Sequence, residues 1–392
     1  MTDSAPPRPR RRIGKILLGG LVIVALLAGL SAWFLHARYT RFADAPLAGL
    51  STDGTLVVAR GDSFQRVLGR LREAGAVEGH ELEWRLLARE LGADARIQVG
   101  EYPLDPKTTP RELLVRMRDG KVVHHRFTIV EGWNIRELRA ALGRATPLVQ
   151  TLQDIDDAAL MDTLGKAGVH PEGRFLPETY LYTTGDSDVD LLRRANAALE
   201  TAVDRAWESR AEGLELTDRE QVLVLASIIE KETGIAEERP AISGVFNRRL
   251  KIGMRLQTDP TVIYGMGTAY NGNIRRSDLQ TDTPYNTYTR DGLPPTPIAM
   301  AGAAAIHAAT HPADGDALYF VAVGDGSGRH VFSPTYAAHN VAVREYVRRY
   351  RSKFGQGDAS SGNAAEAAAG GDAAPPNAIE VEAATGAAES DG

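Results

Sequence analysis

The chain has 392 residues, and its formal net charge of −6 is small for that length, which argues against a nucleic-acid-binding protein. Hydrophobic residues make up 43% and charged residues 24%, as in ordinary globular proteins, so the chain can bury a core. The sequence contains no cysteine, which excludes disulfides, thiolate metal sites and a cysteine nucleophile.

An uncharged apolar segment at 16–35 is long enough to cross a bilayer as a helix. Basic residues crowd the segment before it, at 1–15, and only Arg38 and Arg41 follow it closely. The positive-inside rule therefore predicts a cytoplasmic basic tail at 1–15, a transmembrane helix at 16–35 and an external remainder. A cleaved signal peptide is the alternative, because Ala43-Asp44-Ala45 has the form of a cleavage site. The apolar segment is longer than a usual signal core, which favours an uncleaved anchor.

A linker is predicted at 36–53 and a small module at 54–120. Apolar periodicity, with Asp62 or Ser63 as a helix cap, indicates a strand-helix-helix-strand order in this module, followed by one more helix. The predicted elements are a strand at 55–59, helices at 63–73 and 81–91, a strand at 97–102 and a helix at 110–118.

Residues 121–354 are predicted to form a larger domain of mixed helices and strands, which makes the predicted fold class α+β. Beyond residue 355 the chain has no Lys or Arg and almost no bulky apolar residue, so 355–392 is predicted to be a disordered acidic tail. In the larger domain, strands are predicted near 124–130, 317–323 and 330–332, and helices near 135–142, 157–167, 188–212, from 217 onward, 240–250, 299–309 and 336–354.

The helix predicted from 217 carries a carboxylate, Glu230, at the end of an almost wholly apolar run. Its start has a capping-box pattern at 217–220, and Leu223, Ala226 and Ser227 share a face with Glu230 by the 3.6 repeat. A glutamate held against apolar surroundings keeps its proton near neutral pH and can act as a general acid. The alternative is that Glu230 belongs to a solvated helix end.

Aromatic and amide side chains are concentrated between 257 and 297, interspersed with Pro and Gly. Rings stack on pyranose faces, and Asn, Thr and Gln can reach sugar hydroxyls. Alternatively, Pro and Gly only mark long loops there. Because a loop of about forty residues is unusual in a compact domain unless it is functional, a sugar-binding groove is favoured.

No metal motif is apparent in the sequence. His307 and His311 have the i, i+4 spacing, but no glutamate accompanies them in metalloprotease order. Phosphate-loop, dinucleotide and Gly-x-Ser-x-Gly motifs are also absent from the sequence. No metal and no cofactor are therefore predicted.

A single buried acid suits one class of reaction on a polysaccharide. Glycoside hydrolases usually use a second carboxylate, and Glu232 is poorly placed to serve because residues two apart on a helix point to different faces. A substrate that supplies its own nucleophile removes that need. In murein, the C6 hydroxyl of N-acetylmuramic acid can close on its own C1 to give a 1,6-anhydro ring.

Five stretches of the larger domain form a distinctive series: LASIIEKET at 225–233, VFNRRL at 245–250, IGMRLQTDPTVIYG at 252–265, YNTY at 285–288 and GLPP at 292–295. Together and in this order they resemble the YceG-like endolytic murein transglycosylases. The similarity extends from the apolar N-terminal segment to about residue 354. It includes a segment like that family's LysM-like module at 54–120 and the aromatic stretch from Glu172 to Tyr182. The leader and the acidic tail lie outside it.

The resemblance implies a single-pass enzyme of the bacterial inner membrane, with a periplasmic catalytic domain at 121–354. Such an enzyme cuts the β-1,4 bond between N-acetylmuramic acid and N-acetylglucosamine inside nascent glycan strands and leaves 1,6-anhydro ends. The resemblance maps the catalytic glutamate onto Glu230 and suggests peptidoglycan synthases as partners. Its candidate groove residues are Glu232, Asn247, Gln257, Thr258, Asp259, Tyr285, Asn286 and Tyr288.

Two other functions remain open at this point. A muramidase would use water in place of the C6 hydroxyl and leave reducing ends. A non-catalytic murein-binding anchor would recruit a synthase and cut nothing.

Overall fold

The computed structural model describes residues 10–51, 54–76 and 78–354. The predicted acidic tail at 355–392 and most of the predicted basic tail at 1–15 lie outside the described residues. Within the described part the protein is a mixture of helices and short strands.

The helices account for most of the regular structure. They are α1 (Arg10–Asp44), α2 (Phe64–Glu73), α3 (Glu81–Glu90), α4 (Pro110–Asp119), α5 (Ile135–Leu142), α6 (Asp157–Thr163), α7 (Asp188–Glu208), α8 (Arg219–Glu232), α9 (Arg239–Lys251), α10 (Asp259–Met266), α11 (Arg276–Gln280), α12 (Ala303–Thr310) and α13 (Tyr336–Phe354).

The strands form three two-stranded sheets among the described residues, with β1 beside β2, β3 beside β4 and β5 beside β6. The first and third pairs are antiparallel. The strands are β1 (Gly54–Val58), β2 (Gly100–Leu104), β3 (His125–Thr128), β4 (Thr179–Tyr182), β5 (Tyr319–Ala322) and β6 (His330–Ser333).

Helix α1 continues past the predicted end of the transmembrane helix at 35 and takes in part of the predicted linker at 36–53. Its portion from Leu18 to Asp44 is long and apolar enough to cross a membrane by length and composition. The helix persists because its last turns are packed. Ala43 is fully buried, and the ring of Phe42 meets Trp84 edge to face at 5.3 Å.

The chain divides into two compact units. The first runs to residue 125 and includes 183–185. Its β1-α2-α3-β2 order confirms the predicted strand-helix-helix-strand pattern, and Ser63 caps α2 by accepting from the N–H of Arg66. Strand β2 begins at Gly100, later than the predicted start at 97, because the N–H of Gln98 is bound to the carbonyl of Met117 instead.

Among the described residues, the second unit comprises 126–182 and 186–354. Helix α8 lies at its centre, with every residue from Val222 to Ile229 buried. A helix that is apolar on all sides must be enclosed by other elements. Here α7, α9, α10 and α12 enclose it, and the small residues of α12 allow that helix to pack closely.

Several predicted boundaries in the second unit were wrong. Helix α8 is capped by Asp218, not Thr217, because Asp218 accepts from the N–H of Gln221 at 2.8 Å while Glu220 binds Arg174. The stretch from 257 to 297, predicted to be loops, contains α10 and α11. The helix predicted from 299 begins at Ala303, since the N–H groups of Ile298 and Met300 bind Ser227 and Trp133 instead of forming helical bonds. Strand β4 was not predicted.

Candidate active site

Glu230 lies in the last turn of α8, which ends where Thr233 turns to extended backbone. Only 5% of the Glu230 side chain is exposed. A carboxylate at a helix C-terminus faces the negative end of the helix dipole. Both its burial and its position on the helix therefore disfavour the ionised form of Glu230.

The segment at 298–302 is bound to α8 near both of its ends and forms one wall of the site. Ser227 holds its beginning by accepting from the N–H of Ile298 at 3.0 Å. Paired backbone bonds join Met300 to the turn at Gly132 and Trp133. At the end of the segment the N–H of Gly302 donates to Oε2 of Glu230 at 2.9 Å.

Arg239, at the start of α9, forms the second contact to Glu230. Its Nη2 donates to Oε1 of Glu230 at 3.2 Å, and its side chain is 9% exposed. Both oxygens of Glu230 thus accept a hydrogen bond in this structure. A carboxyl in this arrangement can take a proton from a substrate and give one back.

Burial raises the pKa of Glu230, and this effect outweighs the opposing influence of the Gly302 N–H and of Arg239. The negative charge of Glu131 raises it further. A carboxyl with a raised pKa keeps its proton closer to neutral pH, as a general acid requires.

Glu131 is a site residue that the sequence analysis missed. Its Oε2 lies 3.5 Å from Nη2 of Arg239, the same nitrogen that binds Glu230, and 49% of its side chain is exposed. Because both contacts are to one nitrogen, the nearest oxygens of the two carboxylates are no more than about 7 Å apart, and the upper part of that range overlaps the separations in glycoside hydrolases. The available sequence signal is weak: an acid at the end of a strand, before the positive-φ turn at Gly132.

Glu232, Thr258 and Asp259, three predicted groove residues, are buried on the side of α8 away from Glu230. The Thr258 hydroxyl donates to Glu232, and the Tyr288 hydroxyl donates to Asp259 at 2.6 Å. Burial raises the pKa of Glu232 to about 7 and that of Asp259 to about 6. These groups tie α8 to α10, and α10 to the loop after α11, and the structure does not bring them to Glu230.

Asn247 and Asn286 are also buried and bind the protein's own backbone. Asn247 donates to the carbonyl of Ser243 at 3.0 Å. Asn286 donates to three carbonyls, of which that of Thr281 is nearest at 2.8 Å, and its Oδ1 accepts from the N–H of Tyr288. The Asn286 side chain therefore holds its loop in position, whereas the Asn247 bond lies within α9.

Gln257, Tyr285 and Tyr288 are the predicted groove residues that remain half-exposed. Gln257 is the one non-glycine residue in the described chain with positive φ, at 46°. Such backbone is strained for a residue with a Cβ and often marks a functional position. The Tyr285 hydroxyl lies 2.8 Å from that of Thr296.

Glu172 is a buried carboxyl that was not predicted as a site residue. It is 1% exposed, accepts from the N–H of Ile135 at 3.1 Å and is hydrogen-bonded by the hydroxyl of Tyr264. Burial raises its pKa to about 7. The rings of Tyr264 and Tyr285 meet edge to face with their centroids 4.8 Å apart. Through Tyr264, Glu172 therefore supports the half-exposed Tyr285.

Among the described residues, no group of three His, Asp or Glu side chains is arranged to hold a metal ion. His307 and His311 stack on each other with ring centroids 3.9 Å apart, and Nε2 of His311 lies 2.7 Å from the carbonyl oxygen of Ser209.

A model of the YceG-like family matches residues 56–345 of the chain. A protein of Bacillus subtilis (strain 168) named endolytic murein transglycosylase is 28% identical over 318 residues, which cover 76% of this chain and 85% of that protein.

A Streptococcus pneumoniae protein of the same name is 26% identical over 325 residues, covering 75% of this chain and 58% of that protein. The crystal structure of a putative YceG-like protein from Listeria monocytogenes is 28% identical, covers 74% of this chain and 98% of that one, and has a TM-score of 0.46.

Proposed function

Because this chain belongs to the YceG-like family, we propose that it is an endolytic murein transglycosylase with Glu230 as its general acid and base. Its substrate in this proposal is the β-1,4 bond between N-acetylmuramic acid and N-acetylglucosamine inside a glycan strand. The product ends are 1,6-anhydro-N-acetylmuramic acid, so each cut also ends the growth of a nascent strand. The two relatives described above carry the name of this activity.

The observation that carries the proposal is the environment of Glu230. It is a buried carboxyl at a helix end, with a raised pKa, and its two oxygens accept from Arg239 and Gly302. General acid catalysis needs a proton held near neutral pH, and general base catalysis needs the same group to accept one afterwards. A solvated helix-end glutamate, the alternative considered from sequence, would have neither burial nor such partners.

In the proposed reaction Glu230 begins protonated and gives its proton to the glycosidic oxygen as the bond to C1 of N-acetylmuramic acid breaks. Positive charge then develops on the sugar ring. The C6 hydroxyl attacks C1, and the Glu230 carboxylate takes its proton. The carboxyl is regenerated, no water is consumed, and the arginine and the Gly302 N–H stabilise the carboxylate between the two transfers.

The groove residues take two different parts in this proposal. Gln257, Tyr285 and Tyr288 are half-exposed and are assigned contacts with sugar rings and hydroxyls. The buried members of the candidate set are assigned the support of that groove: Glu232, Asn247, Thr258, Asp259 and Asn286.

Hydrolysis is the second candidate function, and Glu131 is the observation that favours it. A carboxylate within about 7 Å of Glu230 is at the distance from which a second acid activates water or stabilises the ring. The alternative of an anchor that binds murein without cutting it is favoured by no observed contact at Glu230. Digestion of purified sacculi followed by mass spectrometry separates the three, since it yields anhydro ends, reducing ends or no new ends.

We further propose that α1 anchors the protein in the bacterial inner membrane with residues 1–15 in the cytoplasm and the catalytic domain in the periplasm. The length and hydropathy of α1 support this, as does the excess of basic residues before it. The burial of Ala43 argues against cleavage at 43–45, because a protease would have to unfold that helix end.

The first unit is proposed to be a LysM-like module, on the basis of its β1-α2-α3-β2 order with antiparallel strands. Peptidoglycan synthases are the proposed protein partners, because an enzyme that ends nascent strands must meet them where they are made. Crosslinking of the full chain in membranes, followed by identification of the attached proteins, tests this part.

A further inference from the structure

A single nitrogen of Arg239 is shared between two carboxylates. Nη2 lies 3.2 Å from Oε1 of Glu230 and 3.5 Å from Oε2 of Glu131. The Nε of the same guanidinium is buried and has no hydrogen-bond partner among the described residues. The two carboxylates therefore compete for the same end of one cation.

The backbone at Gly302 brings the competing carboxylate close. A Cβ at position 302 would overlap Oε1 of Glu131, so this approach requires glycine. The N–H of the same glycine donates to Glu230. Glu131 is thus held against the residue that binds Glu230, although the two glutamates are far apart in sequence.

We propose that Glu131 is a positioning residue that competes with Glu230 for Arg239 and so governs how readily Glu230 keeps the proton it must give to the substrate. This proposal rests on the proposed function. When Nη2 of Arg239 is shared with Glu131, its hydrogen bond to the Glu230 carboxylate is weaker, and the carboxylate is stabilised less. When a neutral side chain replaces Glu131, Arg239 pairs with Glu230 alone.

The other charged groups around α8 are directed elsewhere. Lys231, next to Glu230, donates to the carbonyl of Gly132. On α9, α10 and α12, Arg248 and Arg249 bind carbonyls, Asp259 binds Tyr288, Tyr264 binds Glu172, and His307 stacks on His311. On α7, the charged groups with described contacts include Asp188, Asp190, Arg193, Arg194, Glu200 and Asp204, and each has a partner other than Glu230.

The two substitutions have opposite expected signs. Replacing Glu131 by Gln removes a negative charge that raises the pKa of Glu230 and leaves Arg239 to favour its ionised form. The pKa of Glu230 then falls. Replacing Arg239 by Gln removes the positive charge that lowers the pKa, and the pKa rises. A residue that only supported the fold would not shift the pH profile in a defined direction.

The experiment measures kcat/KM as a function of pH for the full-length protein in detergent, with soluble uncrosslinked glycan strands as substrate and new strand ends counted by mass spectrometry. In Glu131→Gln the falling limb of the profile is expected to move to lower pH by roughly 0.5 to 1 unit, a modest shift because Glu131 is half-exposed. In Arg239→Gln it is expected to move to higher pH. A limb that stays in place or moves upward in Glu131→Gln overturns the proposal.

Glu131→Asp supplies the conservative control. It keeps the charge on a shorter side chain, so its limb is expected to lie between those of the unaltered protein and Glu131→Gln. Thermal unfolding will show whether Arg239→Gln folds. If it does not, the comparison of Glu131→Asp with Glu131→Gln still tests the role of Glu131, because this half-exposed residue can be replaced without disturbing the core.

The outcomes also separate this inference from the proposed function. Unaltered protein that releases no new strand ends overturns the proposed function. Unaltered protein that releases anhydro ends, together with a Glu131→Gln limb that has not moved, overturns only the role of Glu131. In the double variant Glu131→Gln/Arg239→Gln, the effect of the first change should shrink, because the shared cation is gone.

Discussion

The backbone N–H of Gly302 donates to Oε2 of Glu230 at 2.9 Å, and this bond joins the N-terminal end of α12 to the C-terminal turn of α8. The end of α8 repels a negative charge and the start of α12 attracts one. The start of α12 thus supplies a hydrogen-bond donor to the Glu230 carboxylate, whereas the C-terminal end of α8 disfavours its negative charge. Burial still prevails, and the pKa of Glu230 remains raised.

Glu230→Gln should abolish strand cutting while leaving the fold intact. The amide keeps the size of the side chain, but it has no proton to give at neutral pH. Loss of general acid catalysis lowers rates by about 10²-fold or more. The measurement is the release of anhydro ends from sacculi. Glu237→Gln, at an exposed position on the same stretch of chain, is the matched control and should retain full activity. Undiminished cutting by Glu230→Gln would reject the assignment.

The activity of the unaltered enzyme should fall as pH rises. Because burial raises the pKa of Glu230, the protonated form that starts the reaction is present below that raised pKa and is lost above it. The falling limb of kcat/KM should therefore lie at higher pH than the titration of an exposed glutamate. A flat profile measured from about pH 5 to pH 8, the interval in which enzymes tune such carboxyls, is incompatible with a buried carboxyl as the acid.

Glu232→Gln should change how the stability of the protein depends on pH. Burial raises the pKa of Glu232 from 4.5 to about 7. A group with a raised folded-state pKa stabilises the fold below its unfolded value, and this contribution is lost as pH rises toward the folded value. The glutamine variant does not titrate, so its Tm relative to the unaltered protein should increase between about pH 5 and pH 8, by an amount equivalent to at most about 3 kcal/mol. An unchanged difference at both pH values would contradict the burial of an ionisable group there.

Gly302→Ala should shift the pH profile of activity while lowering the stability of the fold only slightly. Residue 302 has φ −70° and ψ 162°, which alanine adopts easily, so the loss of stability should be about 1 kcal/mol, as alanine caps a helix poorly. The new methyl overlaps Glu131 and pushes it away from Arg239. The falling limb of the pH profile should then move to lower pH, as in Glu131→Gln. Gly234→Ala is the control, because open space surrounds its Cβ position. If both variants give the same profile, Gly302 does not position Glu131.

Gln257→Gly should lose activity without losing stability. Glycine adopts positive φ freely, so the substitution relieves strain of about 1 kcal/mol at this position. The protein keeps a strained glutamine there, which we attribute to its half-exposed amide meeting the sugar. Thermal unfolding and release of anhydro ends check the two expectations. Gln257→Asn, which keeps the amide, should retain more activity than the glycine variant. Full activity in Gln257→Gly would remove this residue from the groove.

The local part of the site could be predicted from the sequence. The long apolar run predicts helix α8 with Glu230 at its end. The 3.6 repeat then predicts which residues share a face with Glu230. Its opposition to Glu232 follows from the same repeat, and the structure confirms it. These features depend on residues within a few turns of one another.

The rest of the site depends on contacts between residues far apart in the chain, which the apolar periodicity of the sequence does not predict. Gly302 is 72 residues from Glu230, and Glu131 is 108 residues from Arg239. A polar residue in a turn-rich stretch is equally ambiguous. Asparagine is a residue type that often binds sugar hydroxyls, but the Asn286 amide instead donates to the backbone carbonyls of Leu279 and Thr281. Only the folded chain separates these two uses of the same side chain.

The unbroken course of α1 has a consequence for the first unit. Because the helix has no hinge between Leu35 and Asp44, the core around Ala43 begins within about 14 Å of the end of the apolar span, at 1.5 Å per residue. With that span seated in a bilayer, the height of this unit above the lipid and its tilt are set by the helix itself. The core of this unit would then lie close to the membrane surface.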